Sequence, residues 1–294
     1  MLKDEEIIIP EPLPKTKGVV LIATGAAFYG RMAYNLAVSI KSVENIPITI
    51  LHNGAGLAHL SDRQKSIFDT IVRIEPTSFG AKLCLADYSP YDCTLYFDAD
   101  MLWMPKRKPS DLFKELEGVS FTSITEGFYD YATSTCYGNK MYHYWADPLE
   151  AKQVYGLTGK FYQWRSEVIY FEKSSAELFR LAKEIYQTPK VVVKKFADHV
   201  PDELAINIAA AIMNIDPHEF KWMPAYWHRL HGEGRNLPSI MDKYYLLSVG
   251  GNFASTTMKT CYNNICKAAH NKLGLQYLFT LQSKKSVMPD RVKM

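Results

Sequence analysis

Two carboxylates stand one residue apart in the stretch Thr94-Leu95-Tyr96-Phe97-Asp98-Ala99-Asp100-Met101-Leu102-Trp103. Paired hard oxygen ligands suit Mg²⁺ or Mn²⁺, ions that complete their shells with water and substrate phosphate. Asp-x-Asp also serves solvated turns. Here apolar residues flank it on both sides, and burying two like charges without a cation is costly. The chemistry this predicts is a divalent cation on Asp98 and Asp100 that meets a diphosphate.

The elements around the pair must put it at a sheet edge. Gly18 to Thr24 is a continuous apolar, β-branched run, the pattern of a strand buried on both faces. It runs into the small residues Gly25-Ala26-Ala27, where a ligand can approach the backbone. Further strands are predicted at 48–51, 70–74, 94–97, 119–124, 164–171 and 244–249, and helices at 32–43, 62–68, 81–88, 174–186 and 202–213. Ser174 or Ser175 would cap the helix at 174–186, and Pro201 would introduce the one at 202–213. This alternation argues for an α/β fold, a mostly parallel sheet flanked by helices, whose carboxyl edge carries Asp98 and Asp100. Gly30 is isolated and no G-x-G-x-x-G is present, which argues against a dinucleotide site. Residues 125–162 read as a loop region dense in aromatics, among them Phe128, Tyr129, Tyr131, Tyr137, Tyr142, Tyr144, Trp145, Tyr155 and Phe161. These either stack on sugars or bases or pack the loop onto the sheet.

Composition bounds the rest. The 294 residues, 47% hydrophobic and 22% charged, can bury one large core, and no run reaches the length of a membrane span. The acidic start, Lys3-Asp4-Glu5-Glu6, is unlike a signal peptide, so a cytoplasmic protein is expected. The five cysteines form no C-x-x-C pair and no zinc spacing, which predicts reduced thiols. From Lys259 to Met294 seven Lys/Arg face one acid, Asp290, which divides the chain into a body at 1–258 and a basic tail or helical extension at 259–294. Such a tail contacts a membrane or polyanion, or is simply a solvated terminus.

Three segments now carry a resemblance: Ile22-Ala23-Thr24 with the helix ending Ile40-Lys41-Ser42-Val43; Lys82-Leu83 leading to Leu95-Tyr96-Phe97-Asp98-Ala99-Asp100-Met101; and Pro201-Asp202-Glu203-Leu204-Ala205-Ile206-Asn207. Together they resemble the GT-A fold nucleotide-sugar glycosyltransferases, and most closely the family 8 retaining glucosyl- and galactosyltransferases. The resemblance implies a GT-A, Rossmann-like fold and transfer of a hexose from a nucleotide-diphosphate sugar, with Mn²⁺ or Mg²⁺ as cofactor. UDP as the nucleotide follows from the resemblance alone. It places Asp98 and Asp100 on the metal and Ala23, Thr24, Gly25, Tyr29, Lys82, Asp98, Ala99 and Arg165 around the donor. Asp202 falls on a sugar-binding Asp, and Glu203 takes the place of the family's Gln beside the anomeric carbon. A carboxylate there can act as nucleophile or stabilise an oxocarbenium ion, or it is a first-turn acid favoured by the helix dipole.

Where the family has His-x-x-Gly and Lys-Pro-Trp, this chain has Ser248-Val249-Gly250-Gly251-Asn252, and its Asn-Ala-Gly becomes Arg165-Ser166-Glu167. The third metal ligand therefore stays open among Ser248, Asn252, His228 and His231. Three readings of the partner also stay open: a glycan or lipid-linked glycan acceptor, a hydroxymethylated base in DNA as in phage-type modification, or a nucleotide-sugar binder without turnover.

Overall fold

The computed structural model describes residues 15–75, 79–138, 145–191, 201–218, 224–226, 230, 236–249 and 256–277. The strands are β1 (Lys17–Ala23), β2 (Ile48–His52), β3 (Thr70–Arg73), β4 (Cys93–Phe97), β5 (Met101–Trp103), β6 (Phe121–Asp130), β7 (Thr135–Gly138), β8 (Lys160–Glu172), β9 (Ala225–Tyr226) and β10 (Leu246–Ser248). The helices are α1 (Ala27–Lys41), α2 (Asp62–Lys65), α3 (Leu85–Tyr88), α4 (Pro109–Glu115), α5 (Pro148–Tyr155), α6 (Ala176–Gln187), α7 (Asp202–Ile212), α8 (Leu237–Lys243) and α9 (Thr256–Lys272).

The main sheet has seven strands in the order β3-β2-β1-β4-β8-β6-β7. From β3 to β4 every pairing is parallel. Beyond β4, β8 runs antiparallel to both its neighbours, and β7 antiparallel to β6. Strands β3, β2, β1, β4 and β6 thus share one direction. The apolar run of β1 is continuous because both faces are covered: Val19, Leu21 and Ala23 join the core under α1 and α9, and Val20 and Ile22 the core under α6 and α7. The same alternation sends Leu95 and Phe97 of β4 to the first core and Tyr96 to the second. Tyr96 therefore shares its side of the sheet with α7.

Gly30 acquires a structural reason. A Cβ there would lie 1.7 Å from the Gly56 carbonyl oxygen, and a Cβ on Gly56 would lie 1.9 Å from that of Ala23. Helix α1, the turn after β2 and the end of β1 therefore close on one another at the sheet's carboxyl edge. Asn53 and His52 tie the turn down by accepting the Gly56 and Gly54 N–H groups.

Several expected elements differ. The described parts of 125–162 are not simply loop: β6 continues to Asp130, β7 follows, α5 lies at Pro148–Tyr155 and β8 starts at Lys160. Tyr129, Tyr131 and Phe161 are buried in the second core, and Phe128 and Tyr137 stack on each other across the hairpin. The expected helix at 62–68 shortens to α2, closed by a Ser61/Gln64 capping box. The one at 81–88 divides into a 3₁₀ helix (Phe79–Cys84) and α3. Ser175 stands at the start of α6 without capping it, because its hydroxyl donates to the Ser120 carbonyl instead. The last expected strand is β10, which belongs to a separate three-stranded sheet with β5 and β9.

Helix α9 crosses the expected boundary at residue 258 and packs against α1, where Asn35 donates to the Tyr262 hydroxyl and the His270 ring meets Tyr34 edge-on. Lys259 is buried in it, and the rest of the basic segment beyond Tyr277, including Lys284, Lys285, Arg291 and Lys293, lies outside the described residues. All five cysteines are free, and among the described residues no helix is long and apolar enough to cross a membrane.

Candidate active site

Strand β4 ends at Phe97, so Asp98 emerges at the carboxyl edge, next to the end of β1 through the Leu21–Phe97 register. Antiparallel β8 passes the same point with Val168 opposite Phe97, and the Asp98 N–H donates to the Glu167 carbonyl at 2.9 Å. Between Arg165 and Ile169 the β8 register against β6 slips, since Ile124 pairs with Arg165 and Ser123 with Ile169. This irregularity turns Ser166 and Glu167 toward Asp98; bulges of this kind commonly re-aim side chains beside a site.

Lys82, on the 3₁₀ helix, is the hub. Its Nζ lies 2.8 Å from Asp98 Oδ1 and 3.6 Å from Asp202 Oδ2, and donates to Ser166 Oγ at 3.0 Å. The Tyr96 hydroxyl donates to Asp98 at 2.5 Å. Burial alone would lower the Lys82 ammonium, but Asp98, Tyr96 and Asp202 raise it well above its usual range. Burial raises the Asp98 carboxyl, and Lys82 opposes that shift. Burial, with the charges of Asp98 and Glu167 beside it, pushes Asp100 up to about 7.

Helix α7 begins here because Pro201 supplies an extended residue before its first turn, and that turn carries Asp202 and Glu203. Both are buried. Glu203 is held on both oxygens: the Ser166 N–H donates to Oε1 at 3.3 Å and Trp145 Nε1 to Oε2 at 2.9 Å, with Arg165 Nη1 3.6 Å from Oε2. Burial pushes its carboxyl up to about 7, Asp202 adding to the shift and Arg165 opposing it. Arg165 itself bridges Glu167 at 2.6 Å and reaches Glu126 at 3.9 Å. Asn207, one helical turn on, accepts the Trp164 N–H and so docks α7 on β8.

Lys82, Asp98, Asp100, Arg165, Asp202 and Glu203 are thus brought together. Ala23 ends β1, Gly25 has a left-handed φ of +83° with open space around its Cβ position, and Tyr29 is half-exposed on α1 beside them. Thr24 lies between Ala23 and Gly25, and Ala99 is buried between the two aspartates. Ser248 pairs with Met101, and Val249 donates to the Asp100 carbonyl, which holds β10 against the site. His228, His231 and Asn252 lie outside the described residues, as do Tyr142 and Tyr144.

Among the described residues six carboxylates (Asp98, Asp100, Glu126, Glu167, Asp202, Glu203) face two cations, Lys82 and Arg165. Asp202 Oδ2 and Glu167 Oε2 are buried without a hydrogen-bond partner among the described residues. An unsatisfied buried polar atom costs about 1–3 kcal/mol, so surplus negative charge and orphan oxygens fit a hard cation chemically. Among the described residues no three His, Cys, Asp or Glu side chains are grouped to hold one, so water and substrate oxygens would complete its shell.

Tyr96, Glu126, Trp145, Ser166 and Glu167 are participants that sequence reasoning did not name as site residues, Glu126 among them with a readable signal. An acid followed by Gly127 inside a β-type run is the available signal, since glycine within a strand marks a bulge.

No family model matches the chain, and no curated protein matches it in sequence. Among solved structures it is similar to the bifunctional glycosyltransferase WbbM in its apo form, with a TM-score of 0.54 and 10% identity over 91% of this chain and 53% of WbbM. The chain thus spans about half the length of that relative. It is also similar to the galactosyltransferase LgtC in complex with donor and acceptor sugar analogues, with a TM-score of 0.50 and 14% identity over 89% of this chain and 97% of LgtC. The chain therefore has the GT-A fold, a mixed α/β sheet flanked by helices.

Proposed function

We propose that the chain is a metal-dependent glycosyltransferase that moves a hexose from a nucleotide-diphosphate sugar, UDP-linked by likeness, to an acceptor hydroxyl with retention of configuration. The observation that carries this is the convergence of Lys82, Asp98 and Asp202 in one ion-pair network at the sheet edge, with Glu203 held beside it. The likeness to LgtC, solved with donor and acceptor sugar analogues, supports a sugar donor.

A bound Mg²⁺ or Mn²⁺ on Asp98 and Asp100 would neutralise the diphosphate and ease its departure. Lys82 adds a fixed positive charge beside the same position and holds Asp98 and Asp202 in register. Asp202 presents an oxygen to the sugar hydroxyls. Glu203, oriented by Trp145, Ser166 and Arg165, faces the reacting carbon as the C1–O bond to phosphate breaks and that to the acceptor forms. Positive charge developing on that carbon is stabilised by a carboxylate placed in advance.

The test is thermal shift with UDP and Mn²⁺ on the wild type and Asp100→Ala. The wild type is stabilised by the pair of ligands together, as ligands that bind only the folded state must stabilise it, and the variant is not. Equal stabilisation of both proteins removes Asp100 from the metal site.

A further inference from the structure

The acidic surplus of the site extends away from Asp98 along one strip of the β6–β8 ladder, and a second irregularity marks the strip. Thr125 pairs with Trp164 and Phe128 with Tyr162, so Glu126 and Gly127 together oppose the single residue Gln163. Gln163 stands on β8 two residues before Arg165, between Tyr162 and Trp164, which pack into the second core. Arg165 meets Glu126 across the ladder and Glu203 on α7. Gln163 is 3% exposed, yet among the described residues neither its amide oxygen nor its amide nitrogen has a hydrogen-bond partner. Arg165 Nε and Glu167 Oε2 are unsatisfied in the same way. A buried amide with both ends open is rare in folded proteins. Its donor and acceptor, set among others of both kinds, match a ligand rich in hydroxyl groups, each of which donates and accepts.

Charge narrows the ligand. A divalent cation and a diphosphate cancel each other, so among the described residues the six carboxylates against Lys82 and Arg165 stay in excess when both are bound. Phosphate or carboxylate on an acceptor would enter that field at a desolvated position, where like charge is strongly disfavoured. The basic tail taken alone favours a polyanion; the charge around Gln163 opposes one.

We propose that Gln163, Arg165, Glu167 and Glu126 form the acceptor-binding surface, and that it takes a hydroxyl-rich sugar bearing no phosphate or carboxylate, which excludes DNA. The word acceptor rests on the glycosyltransferase reading. The surface discriminates through Glu126 and Glu167, which repel an anion, while the Gln163 amide and Arg165 Nε bind sugar hydroxyls.

The experiment is a ligand-detected NMR titration of the whole chain with UDP and Mn²⁺ present. The probes are neutral methyl hexosides and disaccharides, the corresponding 6-phosphates, and a DNA duplex carrying hydroxymethylated cytosine. At least one neutral glycoside binds, and its 6-phosphate binds about tenfold more weakly. Gln163→Leu weakens the neutral glycoside about tenfold, the loss expected when a site built to hydrogen-bond hydroxyls loses its polar group. Its thermal midpoint reports whether it folds. Glu167→Gln, which keeps shape and removes charge, narrows the gap between glycoside and 6-phosphate, a change that loss of packing does not produce. The proposal is overturned if no neutral glycoside binds, if a 6-phosphate or the duplex binds as tightly as the neutral sugar, or if Gln163→Leu and Glu167→Gln behave as wild type. Calorimetry of UDP-sugars with the wild type is run separately, so failure of the transferase reading shows there as absent donor binding.

Discussion

Lys82 and Asp98 form a partly buried ion pair with Nζ 2.8 Å from Oδ1, and the lysine lies within hydrogen-bond reach of both carboxylate oxygens. The pair ties the 3₁₀ helix to the end of β4. The same ammonium approaches Asp202 and so ties both to α7.

Lys82→Met therefore leaves the partly buried Asp98 and the buried Asp202 without this cation. Removing one partner of a buried pair costs about 3–5 kcal/mol, and since these side chains keep 15% and 22% of their exposure the lower end, about 3 kcal/mol, is expected. Denaturant unfolding measures this. Mn²⁺ alone should stabilise the variant more than the wild type, because it can replace the missing charge. A variant as stable as wild type would show that the ion pair holds nothing together.

Glu203→Gln keeps the shape and, through its one remaining acceptor oxygen, one of the two hydrogen bonds that Glu203 accepts from Ser166 and Trp145, while removing the charge. Donor affinity should persist while kcat falls by roughly a hundredfold or more, the range for loss of one preorganised electrostatic group. Steady-state kinetics decides it. Unchanged kcat would reduce Glu203 to an acid that favours the start of α7.

Asp100 and Glu203 both titrate near 7 in the folded protein, above the ordinary 3.8 and 4.5, with burial the main cause. Between those values the folded state binds more protons than the unfolded chain, so these two groups make stability fall as pH rises from about 4 to 7. The ligand-free protein should unfold at lower temperature at pH 8 than at pH 5.5, and the double variant Asp100→Asn, Glu203→Gln should flatten the decline. Stabilisation by Mn²⁺ with UDP should increase over the same interval, because the cation binds carboxylate and releases protons. Melting curves across this pH series with the opposite slope would contradict the assigned burial.

How legible this was depends on where the physics is local. The strand ending at Asp98 is readable because Leu95 to Phe97 must be buried on both faces, which forces the next polar residue to the edge. The first turn of α7 is readable from Pro201 and the two acids after it. Glu126 and Gln163 were not, because a bulge is a property of two paired strands and either strand alone reads as alternation or as loop. Tyr129 and Phe161 read as loop for a related reason: they are buried as a pair across β6 and β8, which no single segment encodes. Ser175 had the residue type of a cap, but the Ser120 carbonyl took its hydroxyl.

Gly30→Ala tests the closure of the donor edge. The added Cβ meets backbone, the Gly56 carbonyl, and cannot be relieved by turning a side chain. A loss of about 2 kcal/mol or more is expected, within the range for overpacking, together with weaker binding of UDP, because the turn after β2 would have to move off Ala23. Thermal unfolding and calorimetry with UDP read the two effects. Retention of both would show that the close approach is not needed.

The most direct measurement is turnover of a panel of nucleotide-diphosphate sugars by the whole chain, with and without Mn²⁺, scored by release of the nucleoside diphosphate. Glycosyl transfer at Asp98, Asp100 and Glu203 predicts release from at least one sugar nucleotide, dependent on the cation, abolished by Asp100→Ala and reduced by Glu203→Gln. Release that is equal without Mn²⁺ or equal in the two variants, or no release from any donor under conditions where UDP binds, would contradict it.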